Sequence, residues 1–442
     1  MGAHYTCHRM SGMDDRSLVL EMIAYIERKL VTGLEARDLV DWSGYSFNRL
    51  RQKFFAVTGD TPSGYLRKRR LTEAAKELLA GERIVDVALK YGYSSQDNFT
   101  TAFRSRFGVT PKELSLMDAK YRRFIANLRE VYSIMELTDL KQPPFCSTLM
   151  GSLKGAADWF DLDLDVPLFF GLSGHAFLIN MHKTLCPSGP YAWDKAGFKR
   201  CLANLGILIK EEFWFDPDTS LEKREQTDSF IRASLNEGKL AMLEFLEYQL
   251  INGFDETGYT FALPWDGKAD SERKRLSFGS WEECLGPELF VGFKLLEKGE
   301  LRADFPAMLR DALDYGLDLW KNPTRHVCSP DYGIGFDAWS NWEAGVKTGH
   351  GGEHGNWWNA MVWAENREMG AAFFEETADL VEGAEAAAAA RAAAAAYRAT
   401  APLIRELGER ERPDAEKLER IVACRAKDAD FVKAIEALRS AM

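Results

Sequence analysis

The second half of the sequence crowds tryptophans, carboxylates and thiols together. Trp339, Trp342, Trp357 and Trp358 fall close together beside Tyr332, Glu343 and Glu353. Tryptophan faces with nearby carboxylates suit a cationic or sugar-like ligand, and the same spacing can also build a tryptophan-rich core. Cys146 opens a run with helical apolar spacing that reaches Phe160. A helix N-terminus can lower a thiol's pKa and ready it as a nucleophile, which then needs a base. His175 and His182 flank the apolar run 176–181. They are candidate ligand contacts, with satisfied buried histidines the commoner reading. His350-Gly-Gly-Glu353-His354 spells H-x-x-E-H, whose zinc chemistry requires a helix to align both histidines. Gly349, Gly351, Gly352 and Gly355 oppose that helix, so no metal is expected. The seven cysteines are odd in number and none forms a C-x-x-C pair, so free thiols are expected rather than disulfides or structural zinc.

A different chemistry lies near the N-terminus. Asn48, Arg49, Arg51, Gln52 and Lys53 are echoed by Gln96, Asp97, Asn98, Thr101 and Arg104. Amide and hydroxyl side chains read base edges, and Arg or Lys grips guanines or phosphates. An internal repeat positions these residues. Gly44-Tyr45-Ser46 recurs as Gly92-Tyr93-Ser94. Leu50, Phe54, Gly59 and Pro62 recur as Phe99, Phe103, Gly108 and Pro111, one residue further on. Each unit reads as a short helix, a glycine turn and a second helix whose apolar pair, four apart, shares one face. Leu34, Leu39 and Val40 supply the first helix of the first unit, and Ile84, Val87, Ala88 and Leu89 that of the second. The segment 65–75 reads as one joining helix ringed by Arg67, Lys68, Arg69 and Arg70. From Tyr45 to Lys112 there are 13 basic and 6 acidic residues.

These residues resemble the AraC/XylS family of transcription regulators. The matching stretches are Gly44-Tyr45-Ser46 with Leu50 and Phe54, the run 70–75, Ile84-Val85-Asp86-Val87-Ala88 through Tyr93, and Asn98-Phe99 through Pro111. The resemblance covers about residues 17–116. It implies two recognition helices entering successive major grooves of double-stranded DNA. Carried over by position, Asn48, Arg51, Gln52, Gln96, Asp97, Asn98 and Thr101 are base readers, and Arg49, Lys53 and Arg104 are phosphate contacts. Glu113-Leu114 stands where the family commonly ends in Tyr-Arg, which puts one backbone contact in doubt.

Charge divides the chain in the same way. Residues 1–130 hold 22 Lys and Arg against 16 Asp and Glu, and the remainder holds 34 against 51. Only the first part is expected to meet nucleic acid. All the tryptophans but Trp42 lie in the second part. A length of 442 residues suggests two to four domains at about 150 residues each, and 46% hydrophobic with 28% charged residues excludes a disordered or fibrous chain. No apolar run reaches membrane-spanning length and no signal peptide opens the chain, so a cytoplasmic protein without membrane contact is expected.

The expected architecture is multidomain. An all-α double helix-turn-helix domain (15–117) leads through a linker helix (118–142) to an α+β effector core (143–300) with a helical C-terminal part (301–442). Buried strands are expected at 166–171, 176–179, 240–246 and 259–263, with a turn at Gly253-Phe254-Asp255. Helix is expected over most of the chain from Ala307, including the alanine-rich 384–396. The effector region resembles the BtrH-like, papain-fold group. The resemblance rests on Pro144-Phe145-Cys146-Ser147, the run 169–174, Gly238-Lys239-Leu240-Ala241 and Tyr332-Gly333-Ile334-Gly335. Enzymes of that fold pair a cysteine with a histidine. Ahead of the Gly-Phe-Asp turn, where such a histidine often lies, stand Glu247 and Tyr248. The reading is therefore a non-enzymatic one-component regulator without a cofactor. Its second half would sense a small molecule, a cationic or sugar-containing antibiotic or metabolite. Cys146, His175, Tyr332, Trp339, Trp342, Glu343, Trp357 and Trp358 are the candidate ligand contacts. The alternative is a thiol acyltransferase or hydrolase that uses Cys146 and carries a DNA-binding module. Expected partners are DNA, the effector, RNA polymerase and a second copy of the chain.

Overall fold

The computed structural model describes residues 15–31, 34–58, 61–107, 109–116, 135–137, 139–255, 257–284 and 290–442. The N-terminal region is helical: α1 (Asp15–Arg28), α2 (Ala36–Ser43), α3 (Phe47–Thr58), α4 (Pro62–Leu79), α5 (Ile84–Lys90), α6 (Gln96–Phe107) and α7 (Pro111–Leu116). It has two small cores. Leu39, Leu50 and Phe54 close on α1 in the first, and Val87, Ala88, Phe99 and Phe103 close on Leu71, Ala74 and Leu78 in the second. Helix α4 starts with Thr61 capping Gly64 N–H and Pro62 in the first turn. It supplies Tyr65 and Leu66 to the first core and Leu71 to Leu78 to the second.

Two expectations here are corrected. Leu89 points outward and is 60% exposed, because Val87 and Ala88 already fill the inner face of α5. The basic run on α4 is not one solvated ring. Arg69 pairs with Glu27 at 2.8 Å and Glu73 at 3.0 Å, and Arg70 Nε donates to Leu30 O.

The expected linker helix lies outside the described residues as far as 134. Its end is not helical. Met135–Glu136 forms β1, antiparallel to Gly253 and Phe254, where a Cβ on Gly253 would strike Met135 O. The second region continues with α8 (Thr148–Trp159), α9 (Val166–Leu172), β2 (Asn180–His182), α10 (Ala196–Asn204), β3 (Leu205–Phe215), α11 (Leu221–Asn236), β4 (Leu240–Glu244), β5 (Tyr248–Phe254), β6 (Gly258–Phe261), β7 (Arg275–Ser277) and β8 (Val291–Leu301). After β8 come α12 (Phe305–Lys321), β9 (Tyr332–Ile334), α13 (Phe336–Lys347), α14 (His354–Leu380) and α15 (Ala384–Leu407). Helix α16 (Asp414–Ala441) ends the chain.

Strands run in the order β3-β8-β4-β5-β6-β7, every pairing antiparallel, with β1 on β5; β2 and β9 form a separate pair. The large sheet is covered on both faces. Leu240 and Met242 of β4 face a large core that runs from Leu140 to Leu438, while Ala241 and Leu243 face a smaller one with Trp281 and Phe293. That double burial makes residues Leu240 to Leu243 of β4 a continuous apolar run. Helices α14 to α16 pack on the large core, so the helical part is fused to the sheet.

The strands expected at 166–171 and 176–179 are helical instead. Asp165 caps Leu168 N–H and Pro167 sits in the first turn of α9. Both are helix-start signals, and a short apolar run by itself does not separate buried strand from buried helix. Residues His175–Phe177 form a single 3₁₀ turn after left-handed Gly174, and the strand begins only at Asn180. Gly253 and Phe254 belong to β5, and the turn falls just after them.

Candidate functional site

Each N-terminal unit presents one polar helix. In α2, Gly44 takes a left-handed conformation at φ 74° and donates to Val40 O, ending that helix and aiming α3 away from it. Gly92 does the same at φ 82° before α6, with Tyr93 N–H returning to Ala88 O. Leu50 and Phe54 anchor α3, and Phe99 and Phe103 anchor α6, all four without exposure. The opposite faces are therefore turned outward. Asn48, Arg49, Arg51 and Gln52 are exposed on α3, with Lys53 half-buried; Gln96, Asp97, Asn98, Thr101 and Arg104 are exposed on α6. Arg49 lies over the Tyr45 ring at 4.8 Å, and Asn98 Nδ2 donates to Ser94 Oγ at 3.0 Å, which orients both.

Residues 39–116 match a family described as a helix-turn-helix domain. The HTH-type transcriptional activator AarP of Providencia stuartii is 35% identical over 106 residues, which is 24% of this chain and 78% of that protein. Regulatory protein SoxS of Escherichia coli is 37% identical over 102 residues, covering 23% of this chain and 95% of SoxS. A solved AraC-type transcriptional regulator from Chromobacterium violaceum matches 24% of this chain and 94% of its own at 28% identity, with a TM-score of 0.23. The chain belongs to the AraC family of helix-turn-helix proteins. AraC-type domains bind double-stranded DNA.

The AraC-type region accounts for about a quarter of the chain. The remainder holds a cavity of about 1220 Å³. Cys146, Trp357 and Trp358 line it together with Tyr191, Lys195 and Glu247. Trp265 packs edge-on to Trp358 at 5.9 Å, so three indoles form one side. Trp214, Leu246 and Phe290, about half-exposed, also belong to its lining. Tyr332 stands one residue behind the wall, its hydroxyl 2.7 Å from Ser188 Oγ. The other expected contacts lie elsewhere. Trp339 and Trp342 are fully buried and stacked at 5.4 Å; their indole N–H groups donate to Asp428 and Asn356. Three residues apart on α13, they share its inward face. His175 is buried in the core with Nδ1 2.9 Å from Asn366 Oδ1, and burial lowers its pKa to about 4. Glu343 pairs with Lys347 one turn along α13.

His350 bonds Glu353 at 3.0 Å from a 3₁₀ turn, whereas His354 begins α14, so the H-x-x-E-H residues do not share a helix. Among the described residues no group of three or more His, Cys, Asp or Glu is placed to hold a metal ion. No helix among them is long and apolar enough to cross a membrane.

Cys146 does sit just before α8, but the Glu365 carboxyl lies beside it. Its Oε2 accepts from Cys146 N–H at 2.8 Å and more weakly from Ser147 N–H at 3.4 Å. Burial, reinforced by the Glu365 charge, pushes the thiol up to about 12. Iodoacetamide at neutral pH will therefore label exposed Cys328 well before Cys146, and Cys146 labelling will climb only as pH approaches that value. Mass mapping of the alkylated peptides measures this. Equal labelling at neutral pH would restore a nucleophilic role. Sequence reading missed Tyr191, whose partners Thr148 and Glu247 lie 43 and 56 positions away, and Lys195, whose local contacts with Tyr191 O and the Trp193 ring do not reveal that it lines a cavity.

Proposed function

We propose that the chain is a cytoplasmic one-component transcription regulator whose second region senses a small molecule and alters DNA affinity. The large aromatic-lined cavity carries this reading, because such concave sites with a few polar groups are what small ligands occupy. Asn48, Arg51, Gln52, Gln96, Asp97, Asn98 and Thr101 read bases in this reading; Arg49, Lys53 and Arg104 hold phosphates. The sensing region is a papain-like scaffold without a catalytic pair. Support comes from the place of Cys146 before α8 and from its sharing one cavity lining with Glu247, the residue that stands in the sequence where such a histidine often lies.

The test uses full-length protein and a DNA site selected by it from a random pool. Antibiotics and metabolites are screened for quenching of tryptophan emission, and each quencher is then added to the DNA titration. A true effector changes DNA affinity by about 5–150-fold, the range of ordinary coupling between sites. Its quenching disappears in the Trp357→Ala, Trp358→Ala double variant. Quenchers that leave DNA affinity untouched would remove the sensing role.

A further inference from the structure

The cavity holds two ionisable groups without opposite-charge partners, and together they indicate what it takes; this inference rests on the sensing reading above. Glu247 is 7% exposed. Its Oε2 accepts from Thr148 Oγ1 and, at 2.8 Å, from Tyr191 OH. Both donors are neutral, and among the described residues no cation lies within ion-pair distance of it. Burial raises this carboxyl to about 7. Lys195 stands at the other end of the same tyrosine, where its ammonium donates to Tyr191 O at 2.5 Å and lies 4.5 Å above the Trp193 ring. No carboxylate among the described residues pairs with it, and burial lowers it to about 8. The nearby Glu244 is engaged by Lys294 at 2.8 Å and by Tyr248 OH. Glu244 therefore acts on Lys195 only from a distance, without forming an ion pair with it.

Burying one uncompensated charge is costly, and this wall holds two of opposite sign. We propose that the cavity binds a zwitterion, with a ligand amine at Glu247 and a ligand carboxylate at Lys195, its apolar body lying against Trp265, Trp357 and Trp358. Tyr191 separates the two charges. With Glu247 at its hydroxyl and Lys195 at its backbone carbonyl, the charges stand a tyrosine side chain apart, which suits a dipeptide, about 7 Å long when extended, better than a single α-amino acid.

Four probes test it on the full chain: phenylalanyl-phenylalanine, its N-acetyl form, its C-terminal amide, and the doubly blocked peptide. Tryptophan emission and calorimetry follow binding. The free dipeptide binds, and each block weakens it about tenfold or more, because a buried charge loses its partner. In Glu247→Gln the acetylated and free amines bind alike while the carboxylate preference persists. Lys195→Met shows the reverse. Equal binding of the free and doubly blocked peptides overturns the zwitterion site, as does no binding of any probe up to about 1 mM. DNA affinity is measured with each bound probe. A dipeptide that binds with the predicted preferences but leaves DNA affinity unchanged supports the site and overturns the sensing role. A doubly blocked peptide that binds equally and shifts DNA affinity does the opposite.

Discussion

Arg367→Met will destabilise the second region by about 3–5 kcal/mol, since it strands a buried charge. Arg367 and Asp428 pair at 3.0 Å with no exposure on either side. The guanidinium also donates to Leu178 O at 3.3 Å and lies 4.3 Å over the Tyr397 ring, while Trp339 Nε1 shares the Asp428 oxygen at 2.8 Å. Four helices and the chain before β2 therefore meet at one ion pair. Its hydrogen bonding is incomplete, because Arg367 Nε and Asp428 Oδ1 have no partner. An imperfect buried pair contributes less than its removal by halves suggests. The double variant Arg367→Met, Asp428→Leu will accordingly recover much of the loss. What remains is the indole N–H of Trp339 without its acceptor, about 1–3 kcal/mol. Urea unfolding followed by tryptophan emission measures the series, since all the tryptophans but Trp42 lie beyond residue 130. A double variant less stable than both singles would show that the pair is a net stabiliser.

The second large effect falls on DNA. Arg51→Ala, Gln52→Ala and Arg104→Ala combined will weaken specific binding at least about 100-fold, at about 1–3 kcal/mol per side chain over two separate helices. All three residues are exposed and outside both small cores, so helix content and melting will not change. The three losses differ in kind. Removing Arg51 or Gln52 relaxes sequence preference, whereas removing Arg104 weakens all sequences alike and lowers the salt slope by about 1. Competition titrations at several salt concentrations separate them. Unaltered affinity and preference in the triple variant would withdraw these residues from the interface.

The N-terminal region was legible because its information is local. A glycine turn followed by an apolar pair four residues apart, repeated once, specifies both the helix and its inward face. The second region resisted the same reading for identifiable reasons. Asp165 and Pro167 announce a helix, but the apolar run after them also suits a strand. The tryptophans were grouped by sequence proximity, whereas helix phase decides their fate: Trp339 and Trp342 turn inward on α13, and Trp357 and Trp358 line the cavity from the start of α14. The contact of Tyr191 with Glu247 spans 56 positions, and no periodicity foretells it.

Helix α4 links the two units and their polar helices through a single continuous rod of 18 residues, about 27 Å long. Its first half is bolted to α1 by Arg69 and to the following turn by Arg70, and its second half is the floor of the other core. Angular phase between the two units is thus stored in a residue count. One inserted residue rotates the second unit by about 100° about the rod, and the two polar faces no longer address the same side of a duplex. If α3 and α6 meet DNA as proposed, their side chains can drift and change the word that is read, but the gap between its two syllables is held by the length of α4.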